Sequence, residues 1–288
     1  MTRSKATATG FIAVLLWALL ALFTVGSAPT PPLLLNALCF TIGGTLGVVW
    51  AAVTGEWRAL SKVPFRVYLF GTIGLFGYHA LYFSALRLAP AAEAGLIAYL
   101  WPLLIVLLSG LLPGEKLRAG HLLGAFLGFV GAALIIGGGG IGFNPKHLPG
   151  YALALACAFT WSSYSVFSRR LGDVPTVSVV VFCLATAVLS AGLHILFEDT
   201  AWPDSSLGWG SVLALGLAPV GLAFYVWDIG VKRGDIQLLG TASYSAPILS
   251  TLALVAFGFA EPTLHLAVAT LLVTGGAILA ARASLKSN

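Results

Sequence analysis

Three stretches of this chain place polar or aromatic groups inside otherwise apolar sequence. Tyr78, His79 and Tyr82 fall at i, i+1 and i+4, so on a helix the two tyrosines stack on one face with the imidazole beside them. At that depth such groups face the interior of a bundle or a watered cavity, or else belong to an aromatic belt at the membrane surface. Tyr99, Trp101 and Pro102 form a second group, and Ser243, Tyr244, Ser245 and Pro247 form a third in similar order. Proline removes a backbone hydrogen bond, so Pro102 frees the carbonyl of Ala98 and Pro247 that of Ser243. Inside hydrocarbon such a carbonyl persists only if a donor answers it. A neighbouring Ser or Thr is one source and a bound solute is the other, which makes Pro102 and Pro247 candidate hinges. Trp17, Trp161 and Tyr164 add aromatic surface, which serves equally as packing or as a wall that stacks on a flat ring and attracts an ammonium. Asp228 is the acid clearly within an apolar run. Its spacing to Lys232 suits an i,i+4 ion pair, and the sharper alternative is an ammonium or proton site.

The elements that carry these groups follow from composition. Of 288 residues, 59% are apolar and 9% charged, against about 25% charged in soluble domains. Mean hydropathy is +0.97. A soluble enzyme is excluded, because so few charges cannot cover a water-facing surface. The net charge of +5 comes from basic residues scattered between apolar runs, which argues for membrane topology and against nucleic acid. Cys39, Cys157 and Cys183 lie in apolar stretches with no CxxC spacing, so neither a disulfide framework nor a metal site is expected. Nothing calls for a cofactor.

Runs separated by Gly, Pro and charge predict helices near 10–28, 33–53, 65–86, 91–111, 120–137, 150–168, 175–197, 209–231, 236–258 and 264–281. The first, behind Arg3 and Lys5, reads as a spanning helix and not as a cleaved signal: it is long, contains Trp17 and has Pro29 just after the would-be cut. The expected fold is an all-α membrane protein with ten transmembrane helices. Ten spans put the two termini and every second loop on one side, and thirteen of the fifteen Lys and Arg then fall there, leaving only Arg87 and Lys146 opposite. The positive-inside rule makes that side cytoplasmic.

Sliding the chain against itself by about 145 residues sets Gly95, Tyr99 and Pro102 on Gly240, Tyr244 and Pro247, and Trp17 falls near Trp161 and Glu115 near Glu261. The halves are 1–140 and 148–288. Five helices in each force the second half to be inverted, an architecture of secondary transporters whose site lies near the midplane between repeats. Gene duplication without transport is the bland alternative.

With the tryptophan opening each half, the mid-helix prolines of Ala98-Tyr99-Leu100-Trp101-Pro102 and Ser243-Tyr244-Ser245-Ala246-Pro247, and the acid in Gly114-Glu115-Lys116-Leu117, the chain resembles the EamA-type, ten-helix members of the drug/metabolite transporter superfamily. The resemblance covers nearly the whole chain. It implies a bacterial inner-membrane protein, working as a monomer, that exports aromatic and related neutral amino acids by alternating access. Tyr78, His79, Tyr82, Tyr99, Trp101, Trp17, Trp161, Tyr164, Ser243 and Tyr244 are the candidate substrate contacts. No acid stands in the first helix, which disfavours the glutamate-coupled proton antiport of the small multidrug members. Drug cations and other small metabolites are the rival cargo, and an intramembrane enzyme using His79 with Asp228 is the remote rival.

The charge split has a direct test. An impermeant thiol reagent applied to intact cells should modify Asp204→Cys and spare Lys62→Cys; the reverse pattern would undo the ten-helix reading.

Overall fold

A chain dissolved in lipid must satisfy its backbone internally, and a helix does so within one segment. The computed structural model describes residues 1–137, 144–171, 174–256 and 264–285, and among them the regular structure is entirely helical. The first half comprises α1 (Arg3–Trp17), α2 (Leu20–Gly26), α3 (Pro32–Thr54), the short α4 (Trp57–Leu60), α5 (Phe65–Thr72), α6 (Tyr78–Leu88), α7 (Ala91–Ala98), α8 (Trp101–Ser109) and α9 (Ala119–Gly137). The second comprises α10 (Leu148–Phe167), α11 (Val179–Phe197), α12 (Ser206–Leu217), α13 (Ala223–Arg233), α14 (Ile236–Ala242), α15 (Ser245–Ala256) and α16 (Leu264–Leu285). Five stretches, Arg3–Thr24, Pro32–Thr54, Phe65–Leu86, Thr176–Phe197 and Ser206–Arg233, are long and apolar enough to cross a membrane. Shorter apolar helices cover Glu93–Ser109, Ala119–Leu134 and Ala267–Ala283. Positions 138–140, 257–258, 261 and 286–288, on which part of the segmentation and repeat pattern falls, lie outside the described residues.

Apolar periodicity places these elements to within a few residues but misses how they are interrupted. A π-helical turn, Ile73–Gly77, joins α5 to α6, and another, Ala218–Leu222, joins α12 to α13. Each admits an extra residue into the turn and disturbs the local hydrogen-bond ladder. The shift of about 145 residues carries one π turn onto the other. Tyr99 and Leu100 interrupt α7 and α8, while Ser243 and Tyr244 interrupt α14 and α15. The first expected helix is also divided, at Ala18 and Leu19, where the Leu19 amide bonds the Leu16 carbonyl in a tighter turn.

Packing joins helices from opposite halves: α3 on α11, α1 on α13, α6 on α10, α8 on α14 and α9 on α16. Small residues permit the approach. A Cβ at Gly10 would stand 2.8 Å from the Gly230 Cα, and one at Gly124 would stand 2.5 Å from the Gly276 carbonyl oxygen.

One end of the bundle is tied by charge. The Arg169 guanidinium pairs with Glu115 at 2.5 Å and donates to the carbonyls of Val231 and Gly234. Arg3 reaches Glu115 at 3.3 Å and Asp235 at 3.4 Å, while the Asp235 amide donates to Thr7 Oγ1 at 2.8 Å. Burial pulls the Arg169 pKa below its ordinary value and Glu115 pulls it back. Its charge is therefore tolerable only while that partner remains. Arg169→Met should lower stability by about 3 kcal/mol, since it leaves Glu115 with only the longer Arg3 pair and takes the donor from two carbonyls. Arg170→Met, which removes a more exposed bond to the Leu111 carbonyl, should cost less than about 1 kcal/mol. Thermal unfolding in detergent compares the two, and equal effects would contradict the assignment.

Candidate functional site

The helices converge on one aromatic cluster drawn from both halves. α1 contributes Trp17, whose ring centroid lies 5.8 Å from Trp161 of α10, 6.1 Å from Trp101 of α8 and 5.0 Å from Trp227 of α13. Trp161 and Trp227 stack at 6.2 Å. From α6, Tyr78 approaches Trp161 at 5.6 Å and stacks on Tyr82 at 6.1 Å with ring planes only 5° apart, as the i,i+4 spacing requires. His79 lies edge-on to Phe40 of α3 at 5.0 Å and to Phe224 of α13 at 6.2 Å. Tyr99 joins through Trp101 at 6.5 Å.

The interrupted helices fix these rings. The Trp17 indole donates to the carbonyl of Pro219, inside the second π turn, at 3.1 Å. His79 Nδ1 meets the carbonyl of Leu75, inside the first, at 2.7 Å. A carbonyl can only accept, so Nδ1 carries the proton and a neutral ring offers Nε2 as an acceptor. Ser162 Oγ shares its proton between the Ala158 carbonyl at 2.6 Å and the Trp101 carbonyl at 2.9 Å, and the Trp227 indole donates to Ser165 Oγ at 3.1 Å. Trp101, Trp161, Phe224 and Trp227 are buried, whereas Trp17, Tyr78, His79, Tyr82 and Tyr99 are half-buried. The hydroxyls of Tyr78, Tyr82 and Tyr99 make no hydrogen bond with the described residues. A firm tryptophan floor thus carries a half-open rim of uncommitted hydroxyls and one imidazole acceptor, suited to a flat ring bearing polar groups.

Other sequence candidates lie apart from the rim. Tyr164 is buried behind Trp161 at 5.3 Å, its ring against Gly74, where a Cβ would come within 2.5 Å of Tyr164 Cδ2. Ser243 Oγ is committed to the Leu239 carbonyl at 2.7 Å. Tyr244 is fully buried, and its hydroxyl accepts from the Leu103 amide at 3.0 Å. In the second half the carbonyl freed by Pro247 is not bare, since the Ser243 carbonyl accepts the Ala246 amide at 3.1 Å, and in the first half the break presents the Leu103 amide to Tyr244. Asp228, 1% exposed, takes its plain role, held by Lys232 Nζ at 2.8 Å and Thr176 Oγ1 at 2.8 Å. Among the described residues no three His, Cys, Asp or Glu gather as a metal site.

Sequence reasoning missed Phe40, Phe224 and Trp227. The repeat held a signal for the last two, because the same shift that pairs Tyr99 with Tyr244 carries His79 onto Phe224 and Tyr82 onto Trp227. Phe40 has no such marker in an apolar helix.

A helical, lipid-soluble bundle whose halves share one aromatic cluster has the make-up of a solute carrier. The pattern of the EamA-like transporter family matches residues 4–137 and again 148–282, and the chain belongs to that family. It is a multi-pass membrane transporter, which removes the intramembrane-enzyme alternative. It is 56% identical, over 97% of its length and 98% of the relative's, to the protein named aromatic amino acid exporter YddG of Ancylobacter novellus. The YddG of Escherichia coli K12 is 28% identical over 97% of each chain. A solved crystal structure at 55% identity superposes with a TM-score of 0.95 over 99% of each chain.

Replacing Tyr78, His79, Tyr99, Trp101 or Trp161 by Leu should reduce flux in proteoliposomes at equal protein content. Trp202→Leu should not, since Trp202 is exposed and stacks only on Trp209. Full flux in all five variants would reduce the cluster to packing.

Proposed function

We propose that this chain exports aromatic and related neutral amino acids across the bacterial inner membrane by alternating access, with Trp17, Tyr78, His79, Tyr82, Tyr99, Trp101 and Trp161 around the substrate. The observation that carries this reading is the half-open aromatic rim, with its unspent hydroxyls and imidazole acceptor. It fits a zwitterion with a flat side chain: the ring stacks on tryptophan, the ammonium meets aromatic faces and His79 Nε2, and the carboxylate takes tyrosine hydroxyls. The name carried by the Ancylobacter novellus relative supports the same substrate class.

In this reading the divided helices each make one pass. Ten passes form two inverted five-helix repeats, 1–140 and 148–288, with both termini cytoplasmic, and Pro102 and Pro247 mark the bending points. The matching π turns and the charge split support it. The protein works as a monomer without a cofactor. The ion pairs around Arg169 then seal the cytoplasmic end while the half-buried residues of α6 face the other mouth.

A drug cation is the competing cargo. Asp228 is already paired, so the rim offers no free carboxylate to a cation but does offer hydroxyl donors to an anionic group. Side-by-side flux of tryptophan, threonine and methyl viologen in proteoliposomes should rank tryptophan first and methyl viologen last. Methyl viologen carried as fast as tryptophan, and competing with it, would replace the amino acid reading.

A further inference from the structure

The two halves differ where the repeat makes them equivalent, and the difference falls on one hydrogen bond. The shift that matches the halves pairs Tyr99 with Tyr244 and Leu103 with Ile248. Tyr244 is fully buried with its hydroxyl on the Leu103 amide, in the first turn of α8. Tyr99 is half-buried, and its hydroxyl makes no bond with the described residues, the Ile248 amide in the first turn of α15 included. The helix breaks differ in step: Tyr99 opens its break and Tyr244 closes its own, so the interruption sits one residue apart in equivalent numbering.

The surroundings differ in the same sense. α14 and α15 both pack on α9, whereas α7 and α8 make no comparable packing with α16 among the described residues. Gly128 of α9 makes the seat for Tyr244, since a Cβ there would stand 2.4 Å from Tyr244 Cδ2. The equivalent position in α16 is Val273. Tyr99, Tyr244, Leu103 and Ile248 nevertheless belong to one packed cluster with Val273, so the alternative partner is near.

We propose that Tyr244 and Tyr99 are an exchanging pair of positioning residues for transport. In the state seen here Tyr244 caps α8 and leaves Tyr99 free at the substrate rim. In the opposite access state Tyr99 caps α15 through the Ile248 amide, α7 and α8 settle on α16, and Tyr244 leaves Gly128 to take its place at the rim. Each tyrosine thus alternates between a helix cap and the rim, and in either state one of the two breaks has its amide capped by a tyrosine. The branched side chain of Val273 makes the second seat tighter, which biases the unloaded protein toward the state seen here. This exchange rests on the inverted-repeat, alternating-access reading above.

The test reads opposite signs from two variants that each lose one hydroxyl. Alkylation of Ala6→Cys, fully buried beside the ion-paired end, reports opening there; alkylation of Phe83→Cys, beside His79, reports the other mouth. In full-length protein in proteoliposomes, Tyr244→Phe should raise the ratio of Ala6→Cys to Phe83→Cys labelling by about five-fold, the worth of one neutral hydrogen bond. Tyr99→Phe should lower it. Gly128→Ala should act in the direction of Tyr244→Phe by unseating the same ring, and Val273→Gly should shift the ratio the same way by widening the seat for Tyr99. Shifts of one sign in both tyrosine variants, or no shift in either, would overturn the exchange. Saturating tryptophan in the parent reporters separates the two levels of the argument. A ratio that responds to it leaves alternating access standing when the exchange fails, and a ratio that never responds brings down both.

Discussion

Where a helix is interrupted inside lipid its irregular backbone needs polar partners, here supplied in part by side chains, and much of this structure depends on how that is done. The Pro219 carbonyl of one π turn is answered by the Trp17 indole. The Leu75 carbonyl of the other takes the His79 ring. At the break between α7 and α8, Tyr244 accepts the Leu103 amide, and Ser162 adds a shared bond to the Trp101 carbonyl. Three of these four bonds cross from one half of the sequence to the other. Water would dissolve such a constraint; hydrocarbon enforces it. The bonds that complete the backbone are therefore also the bonds that orient the aromatic cluster, and the fold and the site share one set of interactions.

The rest of the packing is arranged around that centre. Glycine contacts such as Gly10 with Gly230 and Gly124 with Gly276 bring helices of opposite halves close enough for dispersion to hold them. Charged groups are concentrated where water is near: Arg3, Glu115, Arg169 and Asp235 gather at one end of the bundle, and Glu198 accepts the Leu33 and Leu34 amides at the start of α3. In that position a carboxylate meets the positive end of a helix. In the reading proposed above, the ion pairs around Arg169 close one end while the rim serves the other, as entry from one side at a time requires.

The site was legible to different depths. Tyr78, His79 and Tyr82 could be placed on one face from spacing alone, because helical geometry is local. Trp101 was marked by its place beside Pro102, and Trp17 and Trp161 read equally as packing or as a wall for a flat ring. Tyr244 looked like a rim residue from its motif and is a buried cap instead, because whether a hydroxyl faces a cavity or an amide depends on a neighbouring helix. Asp228 could be read two ways until Thr176 and Lys232 were seen around it. Phe224 and Trp227 were recoverable through the repeat shift, and Phe40 was not.

Composition by itself determined the solvent of this protein, and with it the all-helical class, because apolar length and backbone satisfaction in lipid leave few alternatives. Spacing determined helix positions to within a few residues and which residues share a face. Only the tertiary structure decided that α5 and α12 end in π turns, that Trp17 is held by a carbonyl from the opposite half, and that equivalent tyrosines do different work. Those outcomes depend on contacts between residues far apart in the chain, such as Trp17 with Pro219 and Leu103 with Tyr244, and no local periodicity records them.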